Sequence, residues 1–95
     1  MKEVKITRTI TNTYIIGKTT HSGNITTIEK PYELIMGMDG ISLIPMDKHI
    51  IGHELEYVTI KNDDTLYSVE PSSEVRNTYL EQLSGIEVPK QELIV

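Results

Sequence analysis

Ninety-five residues with a formal charge of −5 suffice for one small domain and exclude the broad basic surface that grips nucleic acid non-specifically. The chain has no cysteine, which rules out disulfides and thiolate-held metals. Ile, Val, Thr and Tyr supply 36 of the 95 residues while alanine, Phe and Trp are absent, a balance that favours strands over helices and predicts an aliphatic core. A core of that size buries modest area, so association between copies is a further source of stability. The N-terminus MKEVKITRTITNTY holds no apolar run of signal-peptide length, and no stretch approaches the ~20 apolar residues of a membrane span. The expectation is a soluble, cytoplasmic protein. The signs of charge are uneven, with a basic Met1–Lys30 and an acidic segment after Glu54, so any polyanion contact belongs toward the N-terminal half with Lys61 brought alongside.

Lys5–Ile10 alternates with period two and reads as a strand, which Thr11 and Asn12 can turn. Thr13–Thr20 resumes as strand, and Gly17 at its centre marks a bulge or a close backbone approach. His21-Ser22-Gly23-Asn24 is a hairpin turn whose Gly23 and Asn24 tolerate positive φ. Ile25–Met36 is a long strand that Pro31 bends or confines to an edge, followed by a turn over Gly37–Gly40 and a strand over Ile41–Met46 that Pro45 ends or bends. Asp47–Gly52 is a loose connection. Glu54–Pro71, ELEYVTIKNDDTLYSVEP, holds two β-branched and aromatic runs about the polar turn Lys61-Asn62-Asp63-Asp64, which predicts a tight antiparallel strand pair. Pro71-Ser72-Ser73-Glu74 starts the one expected helix, with a serine for the free N–H groups and Glu74 for the dipole. Val75, Tyr79, Leu80 and Leu83 share its apolar face and Gly85 stops it. The tail 86–95 reads as an extended arm on its own domain or a neighbour.

Few constellations carry chemistry. His49 and His53 are four apart beside Glu54, but Ile50-Ile51-Gly52 is a poor helix and on a strand the two rings would straddle opposite faces. Asp63 and Asp64 could hold a cation, yet turns favour Asp for backbone reasons. Neither a nucleophile with its base nor a phosphate-cradling glycine loop is present, and nothing pairs Glu29 with Glu33 as acid and base. The reading is of a protein that is not an enzyme and takes no cofactor or metal.

The order of Ile60, Lys61, Asn62 and Asp63 between two strands resembles the second signature of the Sm and Sm-like family, which reads isoleucine, arginine, glycine, then asparagine or aspartate between its fourth and fifth strands. Thr11-Asn12 followed by TYIIG ending at Gly17 is similar to the first signature. The resemblance covers about Lys5 to Val69, and Glu70-Pro71-Ser72 before a helix is similar to short Sm-like proteins from phages of marine bacteria. It implies a strongly bent five-stranded antiparallel barrel over residues 1–70, with the helix and tail of 71–95 packed on it or on a neighbour. It also implies a homo-oligomeric ring joined between the fourth strand of one copy and the fifth of the next, with Tyr57, Val58, Leu66 and Tyr67 at the seam. On composition alone those tyrosines equally cover their own domain. The family binds single-stranded RNA, so the resemblance makes His21 a base-stacking residue, Asn24 a base reader, Lys61 the stand-in for the family's arginine and Asn62 the stand-in for its glycine. Lys lacks the planar fork of Arg, and Asn62 adds a side chain where the family has none. The alternative is the same fold serving only as a structural or interaction module.

Overall fold

The computed structural model describes residues 3–84, His49 by its backbone alone. Six strands form one antiparallel sheet: β1 (Glu3–Thr9), β2 (Tyr14–Ser22), β3 (Ile25–Gly37), β4 (Gly40–Pro45), β5 (Tyr57–Lys61) and β6 (Thr65–Val69). A one-turn helix, α1 (Lys48–Ile51), lies between β4 and β5, and α2 (Ser73–Ser84) follows β6. The path runs β4-β3-β2-β1-β6, with β5 also laid on β3.

The 13-residue β3 organises this arrangement. One of its edges pairs with β2 along most of its length, and its other edge is shared by β4, opposite residues 32–37, and β5, opposite residues 25–29. Between those halves Lys30 adopts φ 51 and Pro31, which has no N–H to give, is fully buried. Two bonds bracket the break: Met46 N–H donates to the Pro31 carbonyl at 3.1 Å and Lys30 N–H donates to the Glu56 carbonyl at 2.8 Å. The chain between them leaves the sheet edge and returns to it. On the neighbouring strand Gly17 alone stands opposite Lys30 and Pro31, so the extra residue of the bulge lies in β3 and Gly17 marks the close backbone approach facing it. A Cβ there would run into Ile28 Cγ2 and lie 2.7 Å from the Glu29 carbonyl oxygen, so no side chain fits without a shift of the backbone.

The two faces of the sheet are chemically distinct. One packs Val4, Ile16, Tyr32, Leu34 and Leu43 under Tyr79 of α2, with Val75, Leu80 and Leu83 at the margin. The other buries Ile15 and Ile28 among the hydroxyls of Thr7 and Thr26. The expected aliphatic core is therefore only half right. Tyr32 and Tyr79 are both buried within it, edge to face with ring centres 5.6 Å apart. The Tyr79 hydroxyl is satisfied in place, donating to the Lys30 carbonyl at 2.8 Å and the Glu29 carbonyl at 3.3 Å.

Several expectations need correcting. The antiparallel pair within Glu54–Pro71 does not form: Asn62–Asp64 is a 3₁₀ turn, after which β6 pairs with β1 while β5 pairs with β3. A strand pair with a tight turn and a corner between two distant partners have the same local pattern, and only the partners decide. The sheet has six strands, not five, and it is not closed. Asp47–Gly52 is not wholly loose, since α1 turns once and stops at Gly52 with φ 84. His21 and Ser22 extend β2, leaving Gly23 and Asn24 as the turn. The helix itself is as expected: Ser72 Oγ accepts from Val75 N–H at 3.3 Å, and Tyr79 is fully buried on the apolar face. Gly85 and the tail 86–95 lie outside the described residues. Among those described, no helix is long and apolar enough to cross a membrane.

Candidate nucleic-acid interface at the corner of the sheet

The turn after β2 and the 3₁₀ turn after β5 meet at one corner, because β3 begins at one and pairs with β5 at the other. Asn62 ties them together. Its backbone N–H donates to the Asn24 carbonyl at 2.8 Å and its Nδ2 donates to the Gly23 carbonyl at 3.1 Å. A carbonyl only accepts, so the amide is oriented with Oδ1 toward Thr26, whose hydroxyl donates to it at 2.8 Å. With its proton committed there, Thr26 Oγ1 accepts from His21 Nδ1 at 3.0 Å. The imidazole therefore carries its proton on Nδ1 and turns Nε2 outward.

Of the four residues singled out for RNA contact, all lie at this corner, but they divide between two faces. Ile25 stands beside both Ser22 and Lys61 in the ladders, while Thr26 stands beside His21 and Ile60. Successive residues of a strand point to opposite faces, so His21 is on the Thr26 face and Lys61 on the Ile25 face. Lys61 shares an open recess of about 390 Å³ with Asn24, Ile25 and Asp63. Asn62 braces the corner through its side chain. Sequence reasoning missed Thr26, which links His21 to Asn62, and Ile25, which with Asp63, read there as a turn residue and possible cation holder, completes the recess. Thr26 falls in the alternating register of His21, but nothing in the sequence shows that a residue 36 positions later completes its bonding.

At the expected seam, Tyr57, Leu66 and Tyr67 are exposed and Val58 is half-buried. Tyr57 and Val58 occupy β5, which among the described residues pairs with β3 alone, and Leu66 and Tyr67 occupy β6, which among them pairs with β1 alone. Tyr67 is also part of a cross-strand row on the helix-bearing face, where Arg8 lies between it and Tyr14. The Arg8 guanidinium sits 5.2 Å from the centre of the Tyr14 ring and donates through Nη2 to Asn12 Oδ1 at 2.8 Å. A hydrogen bond with Tyr67, helped by burial, raises the Tyr14 hydroxyl above the ordinary tyrosine range, and Arg8 opposes that shift.

His49 and His53 do not share a helix, since α1 ends at Ile51 and His53 Nδ1 lies 3.1 Å from the Glu54 carbonyl oxygen. Among the described residues no three His, Asp or Glu side chains cluster as a metal site would require. No protein-family model matches the chain. No curated protein matches it either.

Proposed function

We propose that this chain is a self-assembling, Sm-like binding protein whose copies join head to tail into a ring and take up single-stranded RNA at the corner recess. One observation carries the reading. Among the described residues β5 and β6, like β4, each leave a ladder edge unpaired, and the edges of β5 and β6 carry exposed apolar side chains, Tyr57 (59% exposed) on one and Leu66 (55%) on the other. Unpaired edges with apolar flanks attract further strands, and a contact between two different edges propagates from copy to copy until the rotation closes it. In this reading the bent sheet is a small barrel left open between β5 and β6, and the neighbour's strand supplies what the opening lacks. The recess supports the RNA part with an apolar seat, Ile25, rimmed by the Asn24 amide and the Lys61 ammonium.

A second reading, assembly without nucleic acid, is favoured by the engagement of His21 and Asn62 in bracing the corner and by the net negative charge. Sedimentation or light scattering tests what the readings share: a particle of several monomer masses is expected, and a compact monomer overturns both. Fluorescence anisotropy with short RNA at low and moderate salt separates them. Binding that weakens in Lys61→Ala is the expected result. Absence of binding at protein concentrations on the order of tens of micromolar leaves only the structural role.

A further inference from the structure

The corner recess brings together groups of opposite charge that do not neutralise each other. Lys61 and Asp63 line the same concavity with Asn24 and Ile25. Among the described residues, however, neither the Lys61 ammonium nor the Asp63 carboxylate has a hydrogen-bond or ion-pair partner. The backbone holds them there: Lys61 is fixed beside Ile25 by the β3–β5 ladder, and Asp63 sits in the 3₁₀ turn that Asn62 clamps to Gly23 and Asn24. An acceptor-only group and a donor-only group thus flank an apolar seat, Ile25, which is 43% exposed.

That pattern discriminates between bases. A carboxylate needs donors, and two adjacent donors serve both of its oxygens. An ammonium needs an acceptor. Of the four RNA bases only guanine offers N1–H and the N2 amino group side by side, with the O6 acceptor next to them. Uracil sets one N–H between two carbonyls, adenine sets an acceptor beside its amino group, and cytosine has a single donor group followed by two acceptors. Each of these would place a lone pair against Asp63 and leave charge unpaired. We infer that the recess binds a guanine base of single-stranded RNA, with Asp63 accepting from N1–H and N2, Lys61 donating to O6, and Ile25 packing on the ring. This rests on the RNA reading above and goes beyond it by naming the base. Among the described residues Lys61 is the only cation lining the recess, so binding draws little on phosphates and a free nucleotide's charge is not matched here.

The test uses the full chain and end-labelled hexanucleotides that differ at one position, UUGUUU, UUAUUU, UUUUUU and UUIUUU with inosine, and free GMP as competitor. The guanine strand is expected to bind tightest. Inosine, which lacks only the N2 amino group, should lose about tenfold, the order of one charge-assisted hydrogen bond. Asp63→Asn, a change at an exposed position, should bring the guanine and inosine strands to equal affinity. If the uracil or adenine strand binds as well as the guanine strand, the guanine assignment is overturned while RNA binding stands. If no strand binds, the RNA reading falls and the assignment falls with it. If GMP competes at the same concentration as the guanine hexamer, the base is right and the RNA source is wrong.

Discussion

Gly17 shows how much a single residue can hold. It lies where β2 and β3 come closest, and the missing Cβ is what permits the bulge. Gly17→Ala would push a methyl group into both the Ile28 side chain and the Glu29 carbonyl, and the carbonyl is backbone that cannot rotate away. Overpacking of this kind costs about 1–3 kcal/mol, which should appear as a lowered urea midpoint. Gly23, with φ 60 and nothing within 4 Å of an added Cβ, provides the comparison. Gly23→Ala carries only the backbone strain of a left-handed residue, about 1 kcal/mol. A midpoint that moves less for Gly17→Ala than for Gly23→Ala would contradict the close approach.

At the scale of the element, α2 is fastened by one side chain more than by its apolar stripe. Tyr79 drives its ring into the core and delivers its hydroxyl to the carbonyls of the β3 break, where Lys30 holds a positive φ. Tyr79→Phe keeps the ring and removes the hydroxyl that donates to those carbonyls, at a cost of about 1–2 kcal/mol. Burial, then the neighbouring Tyr32 and Glu29, hold the Tyr79 hydroxyl well above the ordinary tyrosine range, and burial does the same for Tyr32 with a smaller contribution from Glu54. The native state therefore keeps protons that the unfolded chain gives up near pH ~10. Their contribution is complete below that pH and is lost as pH rises toward the folded values, so stability should fall above about pH 10. Tyr79→Phe should show a shallower fall, measured by denaturant midpoints on either side of pH ~10. An equal alkaline slope in both proteins would show that Tyr79 is not the group responsible.

For the whole molecule, the edges of β5 and β6 matter most. They stand on either side of the Asn62–Asp64 turn and, among the described residues, do not pair with each other, which in this reading leaves them to a neighbouring copy. Leu66 is exposed on β6. Replacing it with lysine places a charge where a neighbour's strand would lie and leaves the monomer's own core untouched. Leu66→Lys should shift the particle to monomer mass in sedimentation while its far-ultraviolet circular dichroism stays that of the parent. Retained assembly would place the contact elsewhere.

Much of this architecture was legible in the residues. Alternation gave the strands, Gly17 gave the close approach, Pro31 the break in β3, and Val75, Tyr79, Leu80 and Leu83 the buried face of α2, because each is a local signal written in spacing or in backbone freedom. Gly23, Asn24 and Lys61 drew attention for similar local reasons, as turn and charge. What tertiary structure alone decided was which strand each of these lies beside. Lys61-Asn62-Asp63-Asp64 looks like the turn of a hairpin, yet the strands it joins find better partners in β3 and β1. That choice is made by hydrogen bonds to residues far away in the chain. It also decides that Asn62 braces Gly23 and Thr26, that His21 and Lys61 face opposite ways, and that Lys61 and Asp63 share a recess with Ile25. Composition and period record what a segment prefers, whereas pairing depends on what the rest of the chain leaves unsatisfied.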